Sequence, residues 1–274
     1  MSKVAIIQFP GSNCEYETAK FVESCNIEAD IIRWNCSSKE FHRYSAYVLP
    51  GGFSYQDRVR AGVMATKLPI MKELELAAAE NKPVLGICNG CQILAEAGLV
   101  PNLGGENKIE MALAPNMSND KPKGFICDWV YVKIKNPENC VFTSMFTSED
   151  ILPIQVNHGE GNFIIEESKK ELISQLTMIQ YCDKDGNIVP SNNVNPNGSF
   201  QNIAGLGSKQ GNILAIMPHP ERAIFSSQIP GWIDSKWVSH KNHSFSNGDV
   251  TLGPWKKMIQ SLSYFLENSK VLQT

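Results

Sequence analysis

Short apolar runs alternate with stretches of helical periodicity through the first hundred residues. The apolar runs predict buried strands, because a strand covered on both faces has no polar side. In the stretches between them, apolar side chains recur every three or four positions, as on one face of a helix. The predicted strands are 3–9, 29–34, 47–49 and 84–87, and the predicted helices begin near Glu15 and cover 62–80 and 91–97. This alternation predicts an α/β fold, a mainly parallel sheet with helices on both faces.

The pattern changes after about residue 100. Apolar runs are joined there by turn residues, with little helical periodicity between them. The predicted strands are 125–134, 152–156, 163–165, 178–182 and 213–217. The sequence therefore predicts a small antiparallel β region beside the parallel sheet.

The C-terminal part begins with an aperiodic stretch. Residues 225–253 are rich in Ser, Asn, Gly and Trp and predict an irregular excursion. A helix is predicted from Pro254, since proline is favoured at the first helical position. Its apolar face consists of Trp255, Met258, Ile259, Leu262 and Leu266. Because no repeat or low-complexity linker interrupts the chain, we expect a single domain over 1–274.

Composition excludes some classes of protein. The formal net charge of −3 gives no electrostatic reason to expect nucleic acid or an anionic membrane as a partner. No segment reaches the ~20 apolar residues needed to cross a bilayer. The first residues do not read as a secretory signal, and the eight cysteines are irregularly spaced. We therefore expect reduced thiols and a cytoplasmic location.

The most informative segment is Gly86-Ile-Cys88-Asn-Gly90, between a predicted strand and a predicted helix. This glycine–x–nucleophile–x–glycine spacing is typical of a sharp strand-to-helix turn that exposes the central side chain. Glycine is needed on both sides because a Cβ there would meet neighbouring backbone. A thiol at a helix N-terminus is favoured as the reactive thiolate, and the amide of Asn89 can stabilise an oxyanion.

Two other interpretations of Cys88 compete. Cysteine is often a structural core residue, which is the default for any one of the eight. Alternatively, Cys88 and Cys91 form a C-x-x-C pair, which is typical of redox and metal sites. Neither alternative explains why glycines flank Cys88.

A cysteine that attacks an amide needs a general base, and histidine suits this role near neutral pH. His219 and Glu221 directly follow the apolar run 213–217, at a strand end where α/β sheets gather their sites. Residues two apart in an extended segment face the same side, so Glu221 can orient His219. His-Pro-Glu is more often an ordinary turn, and His158 is the rival base.

With these residues identified, the sequence resembles the class I (triad-type) glutamine amidotransferases. Blocks typical of the family run in order from residue 3 to residue 222. They are Pro10-Gly-Ser-Asn13, Pro50-Gly-Gly-Phe-Ser-Tyr55, Gly86-Ile-Cys-Asn-Gly-Cys-Gln92, Asn157-His-Gly-Glu-Gly161, Asn195-Pro-Asn-Gly-Ser199 and Met217-Pro-His-Pro-Glu-Arg222. The resemblance implies a flavodoxin-like amidotransferase fold and is nearest to the glutaminase subunits that serve purine biosynthesis.

The resemblance also implies roles for individual residues. Cys88 would attack the side-chain carboxamide of glutamine and form a glutamyl thioester. His219 would shuttle the proton, and Glu221 would orient His219. The oxyanion hole would be formed by backbone amides of Gly52 or Phe53 and of Asn89. The amino-acid end of glutamine would be held by Gln92, Asn157, His158, Gly159 and Glu160.

The resemblance implies partners as well. A large synthetase subunit would use the ammonia to convert formylglycinamide ribonucleotide to the amidine, and in some organisms a small third subunit bridges the two. We expect no cofactor or metal in this chain, with ATP and Mg²⁺ bound by the synthetase. The lack of a Walker-type glycine–lysine loop agrees with this expectation.

The sequence departs from the family at two places, and three other functions compete. Gln56 stands where the family usually has a small residue, and 225–253 is longer than in the shorter bacterial subunits. The first rival is a stand-alone cysteine hydrolase or deglycase of a related α/β fold. The second is a redox protein that uses Cys88 and Cys91. The third is a non-catalytic binding subunit, against which the intact Cys88, His219 and Glu221 argue.

Overall fold

A computed structural model describes residues 2–119, 121–191, 193–234, 236–238 and 252–271. The α-helices discussed below are α1 (Glu15–Glu23), α2 (Ser38–Phe41), α3 (Pro69–Ala79), α4 (Asn89–Glu96), α5 (Lys170–Leu176) and α6 (Lys256–Val271). The strands are β1 (Lys3–Gln8), β2 (Glu28–Arg33), β3 (Ala46–Leu49), β4 (Val84–Ile87), β5 (Ala112–Ala114), β6 (Met117–Ser118), β7 (Lys121–Pro122), β8 (Ile126–Ile134), β9 (Ile151–His158), β10 (Asn162–Ile164), β11 (Thr177–Cys182), β12 (Ile203–Gly207) and β13 (Ile213–Ile216).

Nine of these strands form one large sheet, in the order β2-β1-β3-β4-β13-β12-β11-β8-β9. The pairs from β2 to β13 are parallel, and those from β13 to β9 are antiparallel. Two short antiparallel pairs, β10-β5 and β6-β7, lie outside the large sheet. The α/β class and the small antiparallel β region are confirmed, and four further strands extend the parallel sheet with antiparallel pairs. Hydrophobic periodicity predicts that a segment is a strand, but it does not predict which other strand pairs with it.

The parallel half has helices on both faces. Right-handed crossovers place a connecting helix on the face set by the direction in which the chain moves along the sheet. The chain moves one way from β1 to β2 and the opposite way from β3 to β4, so α1 and α3 lie on opposite faces. In agreement, α6 packs beside α1, and α2 packs beside α3. Because helices cover both faces of the parallel half, its strands are apolar on both sides.

The predicted helix over 62–80 is shorter in the structure. It begins at Pro69, after a short 3₁₀ turn at Ala65–Lys67. Leu68 has an extended conformation with ψ of 147°. The cause is the proline, because the residue before proline is driven out of the helical region while proline itself fits the first helical position.

The sequence prediction missed two helices, α2 and α5, and four strands, β5, β6, β7 and β12. The helix α5 lies in the part where little helix was expected, and it is only seven residues long. The strand β12 has the sequence Ile-Ala-Gly-Leu-Gly, and glycine weakens strand propensity. Tertiary packing overrides that propensity, since Ile179 and Met178 of the neighbouring strand lie against Gly205 and Gly207.

One hydrophobic core extends from Val4 in β1 to Leu266 in α6, and on this basis we propose a single domain. The five predicted apolar positions of α6 are all buried. About half of the predicted irregular excursion, residues 235 and 239–251, lies outside the described residues. In the described part of the chain, none of the helices has the length and apolar character needed to cross a membrane.

The order of the sheet determines where the site lies. The chain reverses its direction across the sheet between β1 and β3, which is the position where open α/β sheets bind ligands at the carboxyl ends of their strands. The segments after these two strands are joined there. Asn13 donates its backbone N–H to Gly51 O at 3.1 Å, and Phe53 donates to Gly11 O at 2.9 Å. Residue 88 follows β4, the next strand of the sheet.

Candidate active site

Cys88 occupies a strained turn between β4 and α4. Its backbone angles, φ 51° and ψ −105°, lie where a residue with a Cβ is rarely found. A hydrogen bond of 2.8 Å from its backbone N–H to Ile216 O holds the turn to β13. Strain of this kind persists only where the surrounding structure enforces it, and it is common at active sites. The predicted nucleophile turn is therefore present, and α4 begins at Asn89, two residues earlier than expected.

The two flanking glycines allow the helix to approach the sheet. A Cβ on Gly90 would lie 2.0 Å from Leu49 O, and one on Gly86 would lie 2.6 Å from Gly90 O. Both contacts are far shorter than van der Waals separation, and their partners are backbone atoms. The glycines are therefore required by the packing of α4 on β3 and β4.

We predict that Gly90→Ala destabilises the fold by about 3 kcal/mol or more, because α4 must move off β3 to admit the methyl group. Urea unfolding followed by circular dichroism measures the effect. Gly104→Ala is the matched control, since a Cβ there meets nothing within 4 Å. Equal stability of the two variants would contradict this account of the turn.

The Cys88 thiol lies in a nearly buried position, with 5% of the residue exposed. Its Sγ is 3.6 Å from the carbonyl oxygen of Asn157, at the end of β9. The backbone N–H of Asn89 belongs to the first turn of α4, where N–H groups have no acceptor within the helix. The thiol and an available donor thus meet at a positive helix end, which favours negative charge.

His219 and Glu221 form a closely paired, buried unit. His219 Nδ1 and Glu221 Oε1 lie 2.5 Å apart, and each side chain is at most 1% exposed. The backbone N–H of His219 donates to Gln155 O at 2.8 Å, which ties the segment after β13 to β9. The predicted pairing of these residues is present, although the segment turns into a short 3₁₀ helix at Pro220–Arg222.

The neighbours of His219 act on its charge in opposite directions. Burial opposes a positive charge on His219, but the charge of Glu221, with a smaller contribution from Cys88, outweighs it and raises the pKa of His219 well above its usual value. His219 Nε2 makes no hydrogen bond to any described residue. A Cβ on Gly51 would lie 2.8 Å from His219 Cε1 and 3.5 Å from Cys88 Cβ, so the imidazole and the nucleophile flank the same glycine.

A second thiol near His219 was not found from the sequence. Cys14 is buried, which raises its pKa, and its Sγ accepts a hydrogen bond of 3.4 Å from Arg222 Nη2. Arg222 also donates to Glu17 at 3.0 Å. Ligand atoms of Cys14, Glu17, His219 and Glu221 lie within 4.8 Å of one another, a donor set that could hold a metal. The guanidinium of Arg222 bonds to two of the four groups, so a positive charge is already present there.

The structure distinguishes between the two amides predicted near the oxyanion. The backbone N–H of Phe53 donates a hydrogen bond to Gly11 O, whereas the N–H of Gly52 has no hydrogen-bond acceptor in the described part of the chain. Gly52 has φ of 144°, and a Cβ there would lie 2.6 Å from Asn13 N. Of the two alternatives, Gly52 is the one with an available donor.

The predicted substrate residues lie on two connected elements. Gln92, one turn along α4 from Cys88, donates to the backbone oxygen of Glu160 at 2.7 Å. Asn157 presents its carbonyl to the Cys88 thiol, as described above. Gly159 lies beside the exposed ring of Phe125, which in turn is near Phe53, with ring centroids 6.3 Å apart. The loop 157–160 therefore forms one wall of the site.

His158 is placed differently from the other residues of this loop. Its ring is buried, and Nδ1 pairs with Asn116 Oδ1 at 3.1 Å. Burial and the nearby positive charge of His219 lower the pKa of His158 to about 3, so the ring is neutral at physiological pH. A β-strand alternates its faces, and the His158 ring lies on the core side with Val156. This position argues against His158 as the base, and its contact with Asn116 supports the loop.

Two asparagines that sequence reasoning did not single out hold the loop. Asn116 donates to His158 O at 2.7 Å and accepts from Gly161 N at 3.0 Å. Asn197 donates to Gly161 O at 2.8 Å. The block 195–199 carried part of the family resemblance, so its presence was a usable signal. Asn116 had no comparable signal, because it lies in a segment without periodicity.

The C-x-x-C interpretation finds little support. Both thiols are free, and Cys91 is completely buried. Burial raises the pKa of Cys91 well above its usual value, which disfavours the thiolate needed for exchange. Cys88 lies at the strained turn and Cys91 lies inside the helix, so only Cys88 has the environment of a reactive thiol.

A thiol on a strained strand-to-helix turn, beside a histidine held by a carboxylate, defines the class of enzymes that use a cysteine nucleophile with a general base. Comparison with known proteins identifies the family within this class. The model of the CobB/CobQ-like glutamine amidotransferase domain matches residues 1–265, and the chain belongs to this family.

Individual relatives are more specific. The chain is 39% identical to phosphoribosylformylglycinamidine synthase subunit PurQ of Methanothrix thermoacetophila over 276 aligned residues, which cover 98% of this chain and 99% of the relative. It is 41% identical to PurQ of Pyrococcus horikoshii over 223 residues, covering 81% of this chain and 90% of that protein. The first alignment includes nearly the whole chain, so the greater length of this chain is shared by that relative.

Solved structures agree with these relatives. A structure of PurLQS from Thermotoga maritima contains a chain that matches with a TM-score of 0.70 at 28% identity, covering 97% of this chain and 99% of that one. A putative GMP synthase protein from Thermoplasma acidophilum matches with a TM-score of 0.56 at 14% identity, covering 100% of this chain and 98% of that one. The second likeness supports the fold alone.

Proposed function

We propose that this chain is the glutaminase subunit of phosphoribosylformylglycinamidine synthase, which releases ammonia from glutamine for a partner synthetase. The observation that carries the proposal is the placement of Cys88 at a strained helix start beside the buried pair of His219 and Glu221. The named relatives, similar over nearly their whole length, provide the substrate and the pathway.

The proposed reaction begins when His219 takes the thiol proton of Cys88 and the sulfur attacks the side-chain carbonyl carbon of glutamine. The carbonyl π electrons move to oxygen, and the amides of Gly52 and Asn89 stabilise the oxyanion. His219 gives its proton to the departing nitrogen, which leaves as ammonia and forms the glutamyl thioester. His219 then accepts a proton from water, whose oxygen attacks the thioester; the carbon–sulfur bond breaks, glutamate leaves, and His219 returns the proton to the Cys88 sulfur.

Glu221 acts in this scheme through His219. Its carboxylate fixes Nδ1 as the protonated nitrogen and directs Nε2 toward the thiol and the leaving group. The raised pKa of His219 keeps it available as the acid that protonates the amine. The amino-acid end of glutamine is assigned to Gln92 and to the loop Asn157–Glu160, with His158 acting as a support for that loop.

The ammonia is consumed by a partner. The large synthetase subunit would convert formylglycinamide ribonucleotide to the amidine, and a small third subunit would bridge the two chains, as the composition of PurLQS suggests. We assign ATP and Mg²⁺ to the synthetase and no cofactor or metal to this chain. Protected transfer matters because ammonia in neutral water is protonated and lost. The unpaired thiols fit a reducing compartment, for which we propose the cytoplasm.

Covalent labelling tests the proposed function. We expect an electrophilic analogue of glutamine to modify Cys88, since that thiol is both reactive and placed at the substrate site. Peptide mass spectrometry after labelling locates the adduct, and excess glutamine should prevent its formation.

The other seven cysteines are internal controls for this experiment. Labelling spread over several cysteines, or unaffected by glutamine, would contradict a glutamine-binding nucleophile. Recovery of a disulfide between Cys88 and Cys91 under mild conditions, without an adduct, would favour the redox alternative.

A further inference from the structure

The turn that follows the Gly51-Gly52 pair has an unusual backbone. Tyr55, Gln56 and Asp57 are consecutive residues with φ between 52° and 60°, and none of them is glycine. The turn is held by hydrogen bonds from Tyr55 N to Pro10 O at 2.7 Å and from Ser54 N to Asn89 Oδ1 at 3.0 Å. Strained backbone of this kind is found at ligand clamps, where the surrounding structure enforces one side-chain position.

The side chain of Asp57 is directed to the active site. Asn89, the residue after the nucleophile, donates from Nδ2 to Asp57 Oδ1 at 3.4 Å and to Gln92 Oε1 at 3.0 Å. Gln92 in turn donates to the backbone oxygen of Glu160. Asp57 is thereby connected to the same two elements, α4 and the loop 157–160, that form the rest of the site.

The distance from Cys88 to Gln92 along α4 is similar to the length of a glutamine molecule. Residues four apart in a helix lie on one face, about 6 Å apart along the axis. The side-chain carbonyl carbon of an extended glutamine lies about 4 Å from its Cα, as three carbon–carbon bonds dictate. For a glutamine that lies along α4 with its carboxamide at Cys88, the α-amino nitrogen, one bond beyond Cα, comes near the level of Gln92, where the side chain of Asn89 meets Asp57.

The acidic residues near Gln92 are complementary in charge to the α-ammonium end of glutamine. Burial, followed by the negative charge of Glu160, raises the pKa of Asp57 to about 6. Asp57 forms no ion pair with a lysine or arginine within the described residues. Asp57 and Glu160 are close enough for the charge of one to act on the other, so the space near them favours a positive charge. The α-ammonium group is the one cation that glutamine carries.

We propose that Asp57 binds the α-ammonium group of glutamine, opposite Glu160, and so selects free α-amino acids as substrates. This inference rests on the proposed function, since it assumes glutamine with its carboxamide at Cys88. It adds Asp57 to the substrate residues, which sequence reasoning had limited to α4 and the loop 157–160.

The test compares two substrates with the variant Asp57→Asn, assayed in the assembled complex with the synthetase subunits. Glutaramate is glutamine without the α-amino group, so it lacks the cation that Asp57 would bind. We expect Asp57→Asn to raise KM for glutamine about 10- to 100-fold, the loss typical of a charge-assisted hydrogen bond, with kcat within about threefold. For glutaramate, kcat/KM should stay within about threefold of the unsubstituted enzyme.

Asparagine is well suited to this position, since it accepts positive φ at least as readily as aspartate, so the turn should be preserved. Asp185→Asn, on an exposed turn far from the site, is the matched control and should change neither substrate. An unchanged KM for glutamine, or an equal loss with both substrates, would overturn the assignment of Asp57 alone. No ammonia release by the unsubstituted complex would overturn the proposed function and this inference together.

Discussion

Replacement of Cys88 by serine is expected to reduce glutamine-dependent amidine formation by at least about 10⁴-fold. Serine keeps the size of the side chain and the backbone strain but lacks the acidity of a thiol, so His219 cannot generate an effective nucleophile. The assembled complex should still form the amidine from added ammonium, because that reaction uses only the synthetase. Both rates can be measured on the same preparation by product chromatography.

Cys36→Ser is the matched control, since Cys36 is a half-buried free thiol that is not part of the site. Its two rates should equal those of the unsubstituted complex. Retention of glutamine-dependent activity by Cys88→Ser would refute the assignment of the nucleophile. Loss of the ammonium-dependent rate as well would mean that the substitution disturbs the complex and not the chemistry alone.

The variant Glu221→Gln is expected to lower kcat for glutamine about 10²- to 10⁴-fold with a small change in KM. The amide has the shape of the carboxylate but no charge, and it can stabilise the wrong tautomer of His219. The sign of the accompanying pKa change follows from the two opposing influences on His219. Burial still disfavours the imidazolium, but its main stabilising charge is gone, so the pKa of His219 falls and the proton is lost at lower pH.

Nitrogen NMR of the labelled imidazole across a pH titration measures this fall directly, and steady-state kinetics measure kcat. Glu171→Gln, exposed on α5, is the control and should leave both quantities unchanged. An unchanged pKa of His219 with reduced kcat would show that Glu221 acts by some means other than its charge.

Local features of the site were predictable because they depend on neighbours in the chain. The strand 84–87 has the predicted bounds, and the Gly86-x-Cys88-x-Gly90 spacing predicted a turn that the structure contains. The pairing of His219 with Glu221 was predictable for the same reason, as the two are separated by a single residue. The start of α4 at Asn89 was not, because asparagine and glycine are poor helix formers and only packing against Leu49 places them in a helix.

Contacts between distant segments could not be predicted. Cys14 and Arg222 are more than two hundred positions apart, and Asn89 meets Asp57 across thirty-two. Their side chains meet because the strand order brings the segments after β1, β3, β4 and β13 to one edge of the sheet. Hydrophobic periodicity records which residues are buried and not which strands are neighbours, so β12 and the extent of the antiparallel half were missed as well.

The sequence by itself determined the α/β class, the nucleophile turn and the His219–Glu221 pair, since strand, helix and turn preferences act over a few residues. The tertiary structure alone decided which amide near Gly52 is free to donate, where the ring of His158 points, and that Asp57 reaches the site. Each of these depends on a hydrogen bond to a residue far away in the chain, to Gly11, to Asn116 and to Asn89 respectively. Such bonds form only after the sheet has brought the separate segments together.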